Sequence, residues 1–307
     1  MSSRSAVVIK VPLWRILGEA NRHVLGDLKA VGRYGWLPFL ILSLFSIAAQ
    51  VAYANGIMRP PAVGVTGAAA IQAALPIMFL GLVSLVVQAL CYNAFVVGWY
   101  RHVLKAGQNI QTGRGYWPAF WRVLGYYVLL MLGMIVFMSI AVALILVGLT
   151  VLTMANWIAP TPNNFSQFGA RAGLVGGIVG VVAFGLCFTR ASLVFPAAAY
   201  GNSLGLRMAW RTMRGNTWRM ILAYFLVMTV YLAIALIPAL TFNTGAFATL
   251  ISGDSPRAVP EPIALVIAIR LVSQFVLFLF LALSTSLAAI FYRELVLRPH
   301  DVVEVFA

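Results

Sequence analysis

The chain has 307 residues, 62% of them hydrophobic and only 9% charged, against roughly a quarter charged in an ordinary soluble domain. Apolar stretches recur that are long enough for the ~30 Å hydrocarbon layer, which about 20 helical residues cross. Composition therefore excludes a water-soluble fold and predicts an all-α polytopic transmembrane bundle of about six spans. The formal net charge of +14 would point to nucleic acid in a soluble protein. Here the cations sit in short segments between spans, where they set orientation and attract anionic headgroups, and no nucleic acid is expected as a partner.

Residues 1–34 read as a cytoplasmic interfacial helix. Pro12 suits a first helical position, and Leu13, Leu17, Ala20, Val24, Leu28 and Val31 recur at steps of three or four. Arg15, Glu19, Arg22, Asp27 and Lys29 fall largely on the other side, so the helix is expected to lie along the inner membrane surface. No signal-like apolar run precedes the first span, and no cleaved signal peptide is expected.

The transmembrane domain is placed at 35–292, with spans at 36–53, 74–97, 123–152, 173–196, 220–242 and 271–292. Arg59, Pro60 and Pro61 break the pattern after the first span, and Pro160, Pro162, Asn163 and Asn164 after the third. Basic interfacial segments lie at 98–122 and 198–219, with a second amphipathic stretch from Leu204 to Met213, and 293–307 is a short cytoplasmic tail. Lys and Arg concentrate in these segments and at the N-terminus, whereas the alternate loops carry only Arg59, Arg171 and Arg257. The positive-inside rule then puts both termini in the cytoplasm.

A threefold pattern underlies the spans. Trp36-Leu37, Trp121-Arg122 and Trp218-Arg219 open the outward ones; Trp99-Tyr100-Arg101, Phe188-Thr189-Arg190 and Phe291-Tyr292-Arg293 close the returning ones. Either three related hairpins or the general preference of Trp, Tyr and Arg for membrane interfaces produces this. It places Arg190 at the inner boundary, able to snorkel to the headgroups.

Few constellations carry chemistry. Gly201-Asn202-Ser203-Leu204-Gly205 matches the hydrolase G-x-S-x-G pattern, but the strand-to-helix elbow and the His-acid pair that make it work are missing, so Ser203 is expected to cap the following helix. His23, His102 and His300 lie in three separate segments, and Cys91 and Cys187 read as buried apolar residues. No metal or cofactor is implied. All seven acids fall in loops, tails or interfacial segments, which counts against a proton-coupled transporter.

Arg270 is the one charge that could face the membrane interior. A span starting at Ile263 would bury it about two turns deep and point to an anion path with Gln274; a start at Leu271 makes it a boundary marker. The second is preferred, because Leu271 to Tyr292 suffices to cross. Gly173 with Gly177, and Gly176 with Gly180, are spaced for close helix packing. Gln50, Gln88, Asn93, Gln274 and Ser284-Thr285-Ser286 either bond between helices or line a path.

The most distinctive stretch runs from Leu204 to Arg219, where Arg207, Arg211 and Arg214 make a basic stripe flanked by Trp210 and Trp218. With Arg114, Trp117, Trp121 and Arg122 it would form a basic aromatic collar on the inner leaflet. Arg101, Arg122, Arg190, Arg207, Arg211, Arg214 and Arg219 are the candidate contacts to anionic lipid.

Residues 190–222, from Arg190-Ala191-Ser192-Leu193-Val194-Phe195-Pro196 through Ala209-Trp210-Arg211 to Arg214-Gly215-Asn216-Thr217-Trp218-Arg219, resemble the central signature of bacterial six-span proteins similar to the membrane domain of glycerophosphoryl diester phosphodiesterases. Trp99-Tyr100-Arg101-His102-Val103-Leu104 resembles a segment those proteins carry after their second span. The resemblance implies a six-span membrane domain. In that family a separate soluble domain performs metal-assisted phosphodiester hydrolysis; no counterpart is read in these 307 residues, so no catalytic residue carries over.

The expectation is therefore a non-catalytic inner-membrane protein that binds anionic lipid and scaffolds or assists other membrane components, with a membrane-protein partner or a second copy as further partner. The alternative is a transporter or channel for a lipid-like or anionic solute, using Arg270 and Gln274.

Overall fold

The computed structural model describes residues 10–54, 68–106, 115–154, 180, 182–183, 185–202, 204–242 and 263–297. Its regular structure is helical, with no strand among the described residues. A short α1 (Leu13–Gly26) precedes three long helices, α2 (Leu28–Ala54), α3 (Ala68–Ala106) and α4 (Tyr116–Met154). Helical residues 185–191 lead into two short helices, α5 (Val194–Tyr200) and α6 (Leu206–Thr212), and the long α7 (Thr217–Phe242) and α8 (Ile263–Tyr292) follow. A π-helical turn, Arg293–Leu297, extends α8.

Five helices, α2, α3, α4, α7 and α8, are long and apolar enough to cross a membrane. Of the expected fourth span only 180, 182–183 and 185–196 are described, so Gly173, Gly176 and Gly177 of its glycine pairs lie outside the described residues. So do Arg59, Arg114, Arg171, Arg257, Ser203, His300, the loops around Pro60 and Pro160, and the tail beyond Leu297.

Local sequence explains the joints. Asp27 leaves helical geometry at φ −132°, ending α1, and its carboxylate accepts the Ala30 N–H at 3.1 Å, capping α2. At the end of α5, Gly201 takes φ 100°, and Gly201 and Asn202 donate back to the carbonyls of Ala198 and Ala197, a Schellman closure that glycine allows without strain.

Three of the long helices begin before the spans expected from the sequence: α2 at Leu28, α4 at Tyr116 and α8 at Ile263. Residues such as Arg33, Trp117 and Arg270 are compatible with helical geometry, so apolarity marks the immersed part of a helix and not its end. One consequence is that α2 runs unbroken through residues 34 and 35.

The core sits at one end of the bundle, where the N-terminal parts of α2, α4 and α7 meet the C-terminal parts of α3 and α8. Phe95, Trp99, Leu193, Met213, Met220, Leu287 and Phe291 are fully buried there. The other halves of the long helices carry exposed Leu, Ile, Val and Phe, such as Leu85, Leu132, Ile135 and Val230, as lipid-facing surfaces do. α2 and α3 approach closely at Gly98, where a Cβ would stand 2.8 Å from the Tyr34 ring.

Two expectations are corrected. Of the apolar stripe of α1, Ala20 and Val24 are buried together with Ile16, on a helix packed against α8. Leu28 is exposed, because the break at Asp27 ends the helical row that was extrapolated through it. Cys91 is buried as expected, but Cys187 is exposed; an apolar span fixes burial in lipid and not against protein.

Candidate functional site

Every described Lys and Arg except Arg270 lies toward the packed end, and there the cations divide into two kinds. Arg101, Arg190 and Arg219 are partly buried and held. Arg101 donates to the Ala199 carbonyl at 3.2 Å, Arg190 donates to Thr217 Oγ1 at 3.3 Å and stands 4.9 Å over the Trp210 ring, and Arg219 donates to the Val11 carbonyl at 2.6 Å. Arg122, Arg207, Arg211 and Arg214 are exposed. Of the seven sequence candidates only these four are exposed; the other three tie segments of the fold together.

The stripe expected from Leu204 onward is a helix only over Leu206–Thr212, with Gly205 as its N-cap. Ser203, the expected cap, lies outside the described residues. The flanking Gly201 and Gly205 join two helices, so the strand-to-helix elbow that activates a G-x-S-x-G serine does not form there.

Between the exposed arginines stands an aromatic belt. Trp14, Trp36, Trp117, Trp121, Trp210 and Trp218 are all exposed, and among the described residues only Trp99 is a buried tryptophan. Its indole N–H donates to Ser286 Oγ at 2.8 Å, and its ring stacks on Phe95 at 6.1 Å. Indole rings belong at headgroup depth, where one edge is wet and the face is apolar.

The repeated pattern has a structural counterpart. The three opening tryptophans, Trp36, Trp121 and Trp218, face outward. The three closing arginines, Arg101, Arg190 and Arg293, each reach a different segment. The sequence registered the positions but not this division of labour.

The described acids have partners within the fold. Arg293 meets Glu19 at 2.5 Å and Glu294 at 3.3 Å, and Glu294 also takes Arg15 at 2.8 Å. His23 stands 3.6 Å from Glu19, and His102 lies 2.8 Å from Asp27. Burial opposes ionisation of Glu19, yet the hydrogen bond and charge of Arg293, with His23 beside them, hold its carboxyl below its ordinary value of 4.5. Burial lowers the His23 imidazole below 6.5 despite Glu19. Glu294, at the start of the expected short tail, is buried with Arg15 and Arg293 to neutralise it. The described acids, Glu19, Asp27 and Glu294, thus all have partners, and among the described residues none of them pairs with Arg122, Arg207, Arg211 or Arg214.

Arg270 lies two turns inside α8, which begins at Ile263, and the apolar stretch Ile267–Leu297 includes it. It is exposed on the outer surface, while Gln274 donates to the Tyr92 hydroxyl at 3.3 Å. Asn93 donates to the Phe120 carbonyl at 3.0 Å, and Ser284 and Thr285 bond back to their own helix. Gln88 does the same through Ser84, and the Gln50 side chain lies outside the described residues. These polar groups bond between helices or within their own helix.

No protein-family model, no curated protein and no solved structure gives a significant match to this chain.

Proposed function

We propose that this is a non-catalytic integral protein of the bacterial inner membrane, with both termini in the cytoplasm, whose packed end binds anionic lipid and scaffolds or assists other membrane components. The observation that carries the proposal is the pairing of exposed Arg122, Arg207, Arg211 and Arg214 with exposed tryptophans at one end, while the described acids are paired with other residues. A positive field left open by the fold attracts the anionic leaflet, with each cation near the surface worth about 1 kcal/mol.

The proposal includes kinship with six-span proteins similar to the membrane domain of glycerophosphoryl diester phosphodiesterases. The two segments that carry the resemblance, 99–104 and 190–222, meet where Arg101 donates to the Ala199 carbonyl. That contact supports reading them as one unit. The transporter reading loses ground, since Arg270 faces outward and Gln274 is bonded to Tyr92.

The test is mass spectrometry of the full chain extracted in native membrane patches. Enrichment of anionic over zwitterionic lipid is expected, and R207E/R211E/R214E should reverse it. Unchanged lipid composition in that variant would overturn the lipid role, and a co-purifying polypeptide would identify what the protein scaffolds.

A further inference from the structure

Beside α4 the surface opens into a groove of about 390 Å³, lined by Arg122, Gly125, Tyr126, Leu129, Ala198 and Asn202. The four α4 residues make one row at helical steps of three and four. The row runs from an exposed cation to exposed apolar surface, since Arg122 is exposed and Leu129 is 58% exposed. Across the groove Asn202 uses one amide N–H on the Tyr292 hydroxyl at 3.1 Å and retains a second.

The geometry points to a discrete binding site for one anionic glycerophospholipid in this groove, with its phosphate on Arg122 and Asn202 and one acyl chain laid along Gly125 and Leu129. The site rests on the reading of the packed end as the headgroup side. Seven residues of helix separate Arg122 from Leu129, about 10 Å along the axis, which is the step from headgroup to upper acyl chain. Trp117 and Trp121, one turn back on α4, are exposed at headgroup depth.

The groove also selects among headgroups. A phosphodiester finds a guanidinium and an amide N–H, both donors. A zwitterionic headgroup would bring an ammonium beside Arg122, and none of the six lining residues is a carboxylate to receive it. Gly125 leaves the floor open: a Cβ there would meet nothing within 4 Å. A longer side chain at this position enters the groove without pressing on the protein, and it favours the helix.

The experiment uses the full chain in detergent, delipidated and titrated separately with phosphatidylglycerol and phosphatidylcholine, with retained lipid read by native mass spectrometry. The wild type should keep one phosphatidylglycerol at activation that strips peripheral lipid, and hold phosphatidylcholine about tenfold more weakly, the scale of one charge-assisted contact. G125L should lose the retained lipid at unchanged thermal stability. R122Q should retain lipid but lose the preference between headgroups.

If G125L lowers stability, L129Q replaces it, with the same loss expected from a residue outside the buried core. Undiminished phosphatidylglycerol retention in G125L or L129Q would overturn the site. R207Q/R211Q/R214Q separates the two proposals. Loss of anionic enrichment there, with G125L retaining lipid as wild type does, sustains the collar and rejects the groove. A retained lipid that only G125L or L129Q removes sustains the groove and rejects the collar.

Discussion

Arg293, one residue beyond α8, reaches Glu19 in α1 at 2.5 Å although the two are 274 positions apart in sequence. The same guanidinium meets Glu294, which also takes Arg15, so two cations and two carboxylates alternate across the joint between the first and last helices. The Arg293 side chain is 7% exposed, and its charge is tolerable only because the carboxylates are there.

Removing that cation leaves Glu294 buried with one partner and Glu19 with only His23. Arg293→Met is expected to destabilise the protein by about 3 kcal/mol, the low end for breaking a buried pair. Glu19→Gln should cost less, because Glu19 is 27% exposed. Chemical denaturation in micelles checks both, and a double variant costing less than the sum of the singles would show the coupling.

The same joint makes stability depend on pH. The folded protein holds both His23 and Glu19 below their ordinary values of 6.5 and 4.5, so the unfolded chain binds protons more readily than the folded one. The stability these groups contribute is complete above pH 6.5. It falls first as pH drops through the lowered His23 value, then further below 4.5 as Glu19 is protonated. Thermal unfolding between pH 7.5 and 4 should show both losses, and His23→Gln should remove the first.

Gly98 sets the approach of α2 to α3. Gly98→Ala would place a Cβ 2.8 Å from Tyr34 Cδ1, and Tyr34 is itself packed against His102. The expected loss is about 1–3 kcal/mol, as for other overpacked sites. Recovery in the double variant with Tyr34→Leu would show that the ring is the obstacle.

Trp99 is held by its indole N–H as well as its area. Trp99→Phe keeps most of the ring but leaves Ser286 without its partner from α3, at an expected cost of about 1–3 kcal/mol. A change no larger than experimental error would show that Ser286 is satisfied by its bond to the Ala282 carbonyl, 2.8 Å away.

Apolar length made the long helices legible in advance, and the interfacial Trp and Arg positions marked the end at which they pack. Other features were hidden for physical reasons. The face of Ile16, Ala20 and Val24 has the same periodicity whether it meets lipid or α8, so pattern could not choose between them. The partners of Arg293 are too distant in sequence for any local rule to join them. Arg122 looked like one more collar cation until Ala198 and Asn202 were placed opposite it. Arg270 was read as a span boundary from its charge, and charge alone did not reveal that the helix itself continues two turns before it.

The closure between α1 and α8 also has a meaning in time. The face of Ile16, Ala20 and Val24 is made early in synthesis, but the surface of α8 that covers it emerges only after the other long helices. Until then α1 has no permanent place, and the ionic joint has only one of its carboxylates. Insertion of the earlier helices must therefore precede completion of the core, and the nascent chain waits with its first helix uncommitted until its last one arrives.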